Sequence, residues 1–209
     1  VLSKIPASAR SNVYVTDLSD SGFGDVPEMN LRDSVPYTLT FGDQSGHIAR
    51  WPNDGFGRTG TLIDSSSRND SGPRKKGFTY KIIDTRPLRW GDASDIWLNG
   101  YWMTPYTIDY ARLADLDLDN MRMSGKEYNG LGSYGNARYY VENLIEELDA
   151  EGEWFLDTET NLLYFYPFEG WQQQTISFST SNAGIVEFTN ASNVILRGMK
   201  LEVAGGNGA

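Results

Sequence analysis

Apolar and polar positions alternate along much of this chain, in short runs that Gly, Pro, Asn and Asp separate. A period of two residues predicts strands that present one face to a core and the other to solvent. We predict such strands at 12–18, 36–41, 47–51, 60–64, 77–83, 114–119 and 175–179. The spacing of these runs favours a mainly β protein with little room for long helices.

One segment, 138–167, departs from this pattern and predicts a short helix followed by a hairpin. Its apolar residues fall at i, i+3, i+4 and i+7, which is helical spacing: Val141, Leu144, Ile145 and Leu148. We therefore expect a helix near 140–149 that ends at Gly152. The aromatic runs 153–157 and 162–166 predict two strands joined by the polar residues 158–161.

After residue 175 the apolar runs become shorter, at 185–188, 194–196 and 198–203, and Asn and Gly divide them. Short strands between such corners are typical of the stacked coils of a solenoid. This change of pattern divides the chain into 1–174 and 175–209.

Charge and composition exclude some functions. Eighteen Lys and Arg against 28 Asp and Glu give a net charge of −10, which disfavours nucleic acid as a partner. An acidic polysaccharide needs a local basic patch. The densest basic run in the sequence is Arg74, Lys75 and Lys76, which we interpret as part of a solvated loop. Cysteine is absent, and no apolar run is long enough to cross a membrane.

The residues 90–110 form the densest aromatic region and predict a carbohydrate-binding site. Apolar sugar faces stack on aromatic rings, while carboxylates and amides bind the hydroxyls. The candidate residues are Trp90, Asp92, Asp95, Trp97, Asn99 and Tyr101. The alternative is that these rings fill a β core. On a strand the Leu98 face is the more apolar, so we predict Trp102 inside and Trp97 and Tyr101 outside.

Other candidate chemistry is weaker. The run 115–119 lacks the Gly and Glu that an EF-hand calcium loop needs at its sixth and twelfth positions. His47 is the single histidine and is interpreted as a structural or surface residue. Glu142, Glu146 and Glu147 have the spacing of any acidic helix face, so solvation is expected for them. We predict no metal and no cofactor, and the sequence assigns no catalytic residue.

The motifs RYYVEN, EELD, GEWFLD and LLYFYP between Arg138 and Pro167 resemble a segment of bacterial right-handed parallel β-helix proteins that act on carbohydrates. Three further segments, 49–55, 95–102 and 194–202, agree with this resemblance. In that family, which includes glycoside hydrolases similar to β-xylosidases, a β-sandwich-like domain precedes or interrupts the helix coils. The coils there carry the catalytic carboxylates.

The resemblance implies a β-sandwich-like accessory domain with one short helix at 1–174, leading at 175–209 into the first coils of a right-handed parallel β-helix. It implies a piece of a polysaccharide-degrading enzyme, a glycoside hydrolase or a lyase, that shapes the substrate cleft and is inactive alone. An independent carbohydrate-binding module and a structural cap of the β-helix are the alternatives. Expected partners are a polysaccharide or oligosaccharide and the remaining coils of a longer chain. The expected location is secreted or periplasmic.

Overall fold

The computed structural model describes residues 2–23, 26–32, 37–64, 77–91, 95–126, 133–181 and 185–201. Its strands are β1 Tyr14–Asp17, β2 Thr38–Phe41, β3 Gln44–Ser45, β4 His47–Ile48, β5 Arg50–Trp51, β6 Gly57–Arg58, β7 Leu62–Asp64, β8 Phe78–Lys81, β9 Trp97–Gly100, β10 Asp109–Asp117, β11 Arg122–Gly125, β12 Arg138–Glu142, β13 Glu153–Asp157, β14 Leu162–Phe165 and β15 Ile176–Ser179. Helical structure in these ranges is limited to the 3₁₀ helices Arg86–Arg89, Ile145–Glu147 and Trp171–Gln173. The prediction of a mainly β protein is confirmed.

The strands of the described residues form three sheets. The largest has the order β5-β12-β9-β10-β11-β8-β7, with β6 also paired to β12. The second has the order β1-β14-β13-β4, and the third has the order β15-β2-β3. Strands β4 and β13 pair in parallel, whereas β9 pairs antiparallel with both of its neighbours, β10 and β12. No helix of the described residues is long and apolar enough to cross a membrane.

The predicted hairpin is confirmed. Strands β13 and β14 pair antiparallel with Trp154 opposite Phe165 and Leu156 opposite Leu163, and β1 extends the sheet beyond β14. Gly152, with a φ of 84°, precedes the hairpin in the left-handed region that a residue without a Cβ adopts most easily.

The predicted helix near 140–149 is wrong. Residues 138–142 form β12, because they pair with β9, β5 and β6, and aromatic and β-branched residues suit such a strand. Asn143 then takes a φ of 62°, which an α-helix excludes, and only one 3₁₀ turn follows. The apolar stripe from Val141 to Leu148 is buried as its spacing indicated, but the acids are not solvated. Glu146 and Glu147 are buried too.

Strand β9 lies between two apolar cores. Leu98 and Trp102 belong to a first core, together with residues of β8, β11 and β12. Trp97 belongs to a second core that β13, β14 and β2 also line. The interior position of Trp102 is confirmed. The outward position of Trp97 is wrong, because the second and third sheets cover that end of the other face.

Residues 185–201 form no strand, although they are described, so the strands expected at 185–188 and 194–196 are wrong. The run 198–203 extends past the described residues. Seven apolar side chains here are between 40% and 75% exposed: Ile185, Phe188, Val194, Ile195, Leu196, Met199 and Leu201.

Candidate functional site on the outer face of the largest sheet

The alternation of β12 separates its side chains onto two faces of the largest sheet. Tyr139 and Val141 point into the first core. Arg138, Tyr140 and Glu142 therefore point to the opposite side, which we call the outer face. Register extends this face to the neighbouring strands, because directly opposed residues lie on the same side of a sheet. The outer face thus also carries Arg50, Trp97, Asn99, Tyr110 and Arg112.

Glu142 is the titratable centre of the outer face. The Nδ2 group of Asn99 donates a hydrogen bond to its Oε2 atom, and Arg50 stands opposite it on β5. Burial raises the pKa of Glu142 to about 7, although Arg50 and Asn99 both favour the charged form. A carboxyl group with that pKa can give or take a proton near neutral pH.

Two polar groups near Glu142 are buried without a hydrogen-bond partner among the described residues. They are the Oδ1 atom of Asn99 and the Nε1 group of Trp97. Tyr140 and Tyr110 flank Asn99 on β12 and β10 and share a side-chain hydrogen bond. Buried polar atoms that lack partners cost stability, so this face is not built for stability alone.

Away from Trp97, the outer face ends in a cluster that we call the arginine–aromatic edge, formed by Arg50, Phe56, Arg58, Tyr101, Arg138 and Tyr140. The ring centroids of Phe56 and Tyr101 are 5.4 Å apart at an interplanar angle of 69°. The guanidinium of Arg138 lies 4.4 Å from the Tyr101 centroid, and that of Arg50 lies 4.0 Å from the Tyr140 centroid. Phe56 is 39% exposed, so a ligand can reach this edge.

Backbone carbonyl groups hold the three guanidinium groups in place. Arg50 donates to Pro52 at 2.8 Å and to Gly55 at 2.9 Å. Arg138 donates to Pro105 at 2.8 Å, and Arg58 donates to Asn136 at 3.1 Å. Each arginine has five N–H donors, so each keeps donors for another partner.

A cleft of about 260 Å³ lies beside the Trp97 end of the outer face. Asp95 lines it, and the Nη2 group of Arg112 forms an ion pair with the Oδ1 atom of Asp95 at 2.8 Å. Arg112 also pairs with Glu28. Burial raises the pKa of Asp95. The other residues that line the cleft are Val26, Phe155, Leu156, Asp157, Thr158 and Glu159.

Glu147 shows what a purely structural carboxylate looks like in this fold. It is fully buried and accepts hydrogen bonds from the Nε1 group of Trp90 at 2.6 Å and from Arg86 at 2.8 Å. Its charge is thus met by a guanidinium, as buried charges require. Among the described residues, Glu142 has only the Asn99 amide as its direct hydrogen-bond donor.

The structure brings together three of the six residues that the sequence predicted for carbohydrate binding. Trp97, Asn99 and Tyr101 share the outer face, with Tyr101 half-buried and the other two buried. Asp95 lies beside them, in the cleft with Arg112. Trp90 is separate, in the first core. Asp92 lies outside the described residues, and so does the basic run 74–76.

Sequence reasoning missed Phe56, Arg58, Arg138 and Tyr140. The alternation in Arg-Tyr-Tyr-Val-Glu was a signal for the last two, but the helical spacing obscured it. His47 lies on β4 with about half of its side chain exposed (47%), and its partial burial together with the charge of Arg50 lowers its pKa. Among the residues that the structure describes, no three His, Asp or Glu side chains form a group that could hold a metal ion.

No protein-family model matches this sequence, and no curated protein is significantly similar to it. A solved structure described as a glycoside hydrolase has a similar fold, with a TM-score of 0.51 and 18% sequence identity. The likeness covers 80% of this chain and 29% of that one. This chain resembles part of a glycoside hydrolase in fold. It spans less than a third of that protein's length, and at this identity the likeness concerns the fold alone.

Proposed function

We propose that this chain is the β domain of a bacterial polysaccharide-degrading enzyme and shapes its substrate cleft by contacting the glycan. The observation that carries the proposal is the arginine–aromatic edge. Its reachable rings, Phe56 and Tyr101, adjoin a face of hydrogen-bonding side chains, the combination that sugars need. The fold likeness to a glycoside hydrolase supports it. In such a parent enzyme, the hydrolysis or elimination step belongs to residues outside this chain.

We also propose that residues 175–209 lead into the β-helix coils of a parent chain. The exposed apolar side chains of 185–201 would be covered by a neighbouring coil of the same parent chain. We propose that the enzyme acts outside the cytoplasm, secreted or periplasmic, where polysaccharide substrates occur.

A structural cap is the second candidate, and the tryptophans favour it. Trp90, Trp97, Trp102 and Trp154 are all buried, so none of the four offers a ring face to a glycan. An independent binding module with a flat aromatic row is less well supported, because the rings of Phe56 and Tyr101 are inclined by 69°. Glycan contact at the arginine–aromatic edge separates the leading proposal from the cap.

An NMR titration of the purified chain against plant and host oligosaccharides tests the proposal. We expect millimolar binding, with shifts at the arginine–aromatic edge that Tyr101→Ala weakens. The matched control is Tyr134→Ala, because Tyr134 is an exposed tyrosine, at 37%, and is not part of the edge. No shift with any oligosaccharide would favour the cap. We also expect no turnover of xylan or related glycans, so turnover that is lost on replacing Glu142 would show that catalysis resides here.

A further inference from the structure

We propose that the arginine–aromatic edge takes an acidic sugar, with the carboxylate of a uronic acid bound between Arg58 and Arg138 and the sugar ring against Tyr101. This inference rests on the proposed function and names its ligand class. The observation behind it is the placement of the two guanidinium groups. Arg58 and Arg138 are far apart in the sequence, so no run of basic residues predicted that they would be neighbours.

The first argument is the register of β6 and β12. Arg58 stands directly opposite Arg138 in this antiparallel pair, so the two side chains leave the sheet on the same face. Like charges in directly opposed positions destabilise a sheet. An anion between them removes this repulsion, and a carboxylate matches the planar donor fork of arginine.

The second argument is the charge around the pair. Among the described residues, Arg86 and Arg112 form ion pairs with carboxylates, whereas Arg58 and Arg138 form none. This is notable in a chain with a net charge of −10, where carboxylates outnumber basic groups. The nearest carboxyl group on the same strand, Glu142, has a raised pKa of about 7 and is therefore partly neutral at neutral pH.

The third argument is the position of the rings. Arg138 lies 4.4 Å from the Tyr101 centroid and 5.3 Å from the Phe56 centroid, so a guanidinium and two rings form one continuous surface. A ligand that places a carboxylate on Arg138 has its own ring within reach of Tyr101 or Phe56. Uronic acids carry the carboxylate on the sugar ring itself, which meets both requirements with one residue.

The overall charge selects among anions. A net charge of −10 repels a long polyanion such as nucleic acid, and two guanidinium groups can offset only a local charge. The edge therefore suits a short anionic segment with a ring that can lie against Tyr101, and we take an acidic oligosaccharide as that segment.

The test uses the intact chain and isothermal titration with an oligogalacturonate and its methyl ester, which has the same sugars without the charge. We expect the acid form to bind at least about tenfold more tightly, because a charge-assisted hydrogen bond is lost in the ester. The preference for the acid form over the ester should decrease as salt is added. Arg58→Gln and Arg138→Gln should each abolish this preference. The control is Arg122→Gln, which makes the same charge change at an exposed position on β11 and should leave the preference intact.

Each other outcome has a distinct meaning. Equal binding of acid and ester would overturn the uronate inference and leave the proposed glycan contact standing. No binding of either form would overturn the inference, and the neutral panel would then decide the proposed function independently. Equal binding of a sulfated oligosaccharide, or tighter binding of a single-stranded oligonucleotide, would show that the pair recognises anions without selecting a carboxylate. That result would also overturn it.

Discussion

The two faces of β9 and β12 are built from different kinds of interaction. On the inner face, Leu98, Trp102 and Val141 are buried among apolar side chains. The fit is close: a Cβ at Gly100 would stand 2.6 Å from the Trp102 ring. The outer face instead carries a buried amide, a carboxyl group with a raised pKa and two opposed arginines. The inner face therefore stabilises the fold. The outer face carries buried polar and charged groups that lower the stability and suit a ligand.

The largest expected effect concerns the neighbouring residues Trp102 and Tyr101, which lie on opposite faces. Trp102→Ala should lower the free energy of unfolding by about 3–5 kcal/mol, because it opens a cavity in the first core. Tyr101→Ala should cost less than about 1 kcal/mol, since its ring lies at the edge. Urea denaturation of both variants measures the difference. Equal losses would contradict the division between the faces.

Asn99 provides an intermediate effect on the outer face. Asn99→Ala should lower the free energy of unfolding by about 1–3 kcal/mol, because Glu142 loses its hydrogen-bond donor. The loss should be larger at pH 8 than at pH 6, since the ionised form of Glu142 depends more on that donor. The control is Asn120→Ala, at an exposed turn. A loss that does not depend on pH would indicate a simple packing defect.

Glu142→Gln tests the raised pKa through the pH dependence of stability. The folded protein holds the Glu142 proton up to a pKa of about 7, above the ordinary value of 4.5. Between these two values the unfolded chain loses the proton first, so stability falls as pH rises from about 4.5 to about 7. The Glu142→Gln variant lacks this decline, so its free energy of unfolding should rise relative to that of the parent protein across that pH interval. Glu153, whose pKa is also raised, is present in both proteins and cancels. Parallel curves from unfolding titrations at pH 4 to 9 would show an ordinary pKa.

The smallest effect should come from Arg58→Gln without ligand. Relief of the repulsion with Arg138 offsets the lost contact with the Asn136 carbonyl, so stability should stay within about 0.5 kcal/mol or rise slightly. Differential scanning calorimetry compares the melting temperature with that of Arg122→Gln. If the melting temperature falls well below that of the control, Arg58 stabilises the sheet and its repulsion with Arg138 is not significant.

What the sequence predicted correctly was local. The hairpin of β13 and β14 needs only its own aromatic runs and four intervening polar residues, so the pattern was sufficient. The stripe from Val141 to Leu148 correctly indicated burial. The stripe predicted a helix where the structure has strand β12, because the pairing of β12 depends on β5 and β9, which are distant in sequence. The left-handed conformation of Asn143 also interrupts any helix there.

The site was predictable only in part, for the same reason. Trp97, Asn99 and Tyr101 share a face because they alternate on one strand, which the sequence shows. Whether that face is covered depends on other sheets, and the covering of Trp97 was therefore missed. The opposition of Arg58 and Arg138 is a matter of register between remote strands, which no local pattern contains.

The pairing of β6 with β12 also has a kinetic consequence. The hydrogen bond from the Ala137 amide to the Thr59 hydroxyl, next to this pair, closes a loop of 78 residues. Contacts that are so far apart in sequence form slowly, because the chain loses entropy before they are made. The local hairpins are thus expected to form first and the arginine pair late. In refolding experiments, anion binding should recover more slowly than the circular dichroism signal of the strands. The rate at which binding recovers would then report the final step of folding.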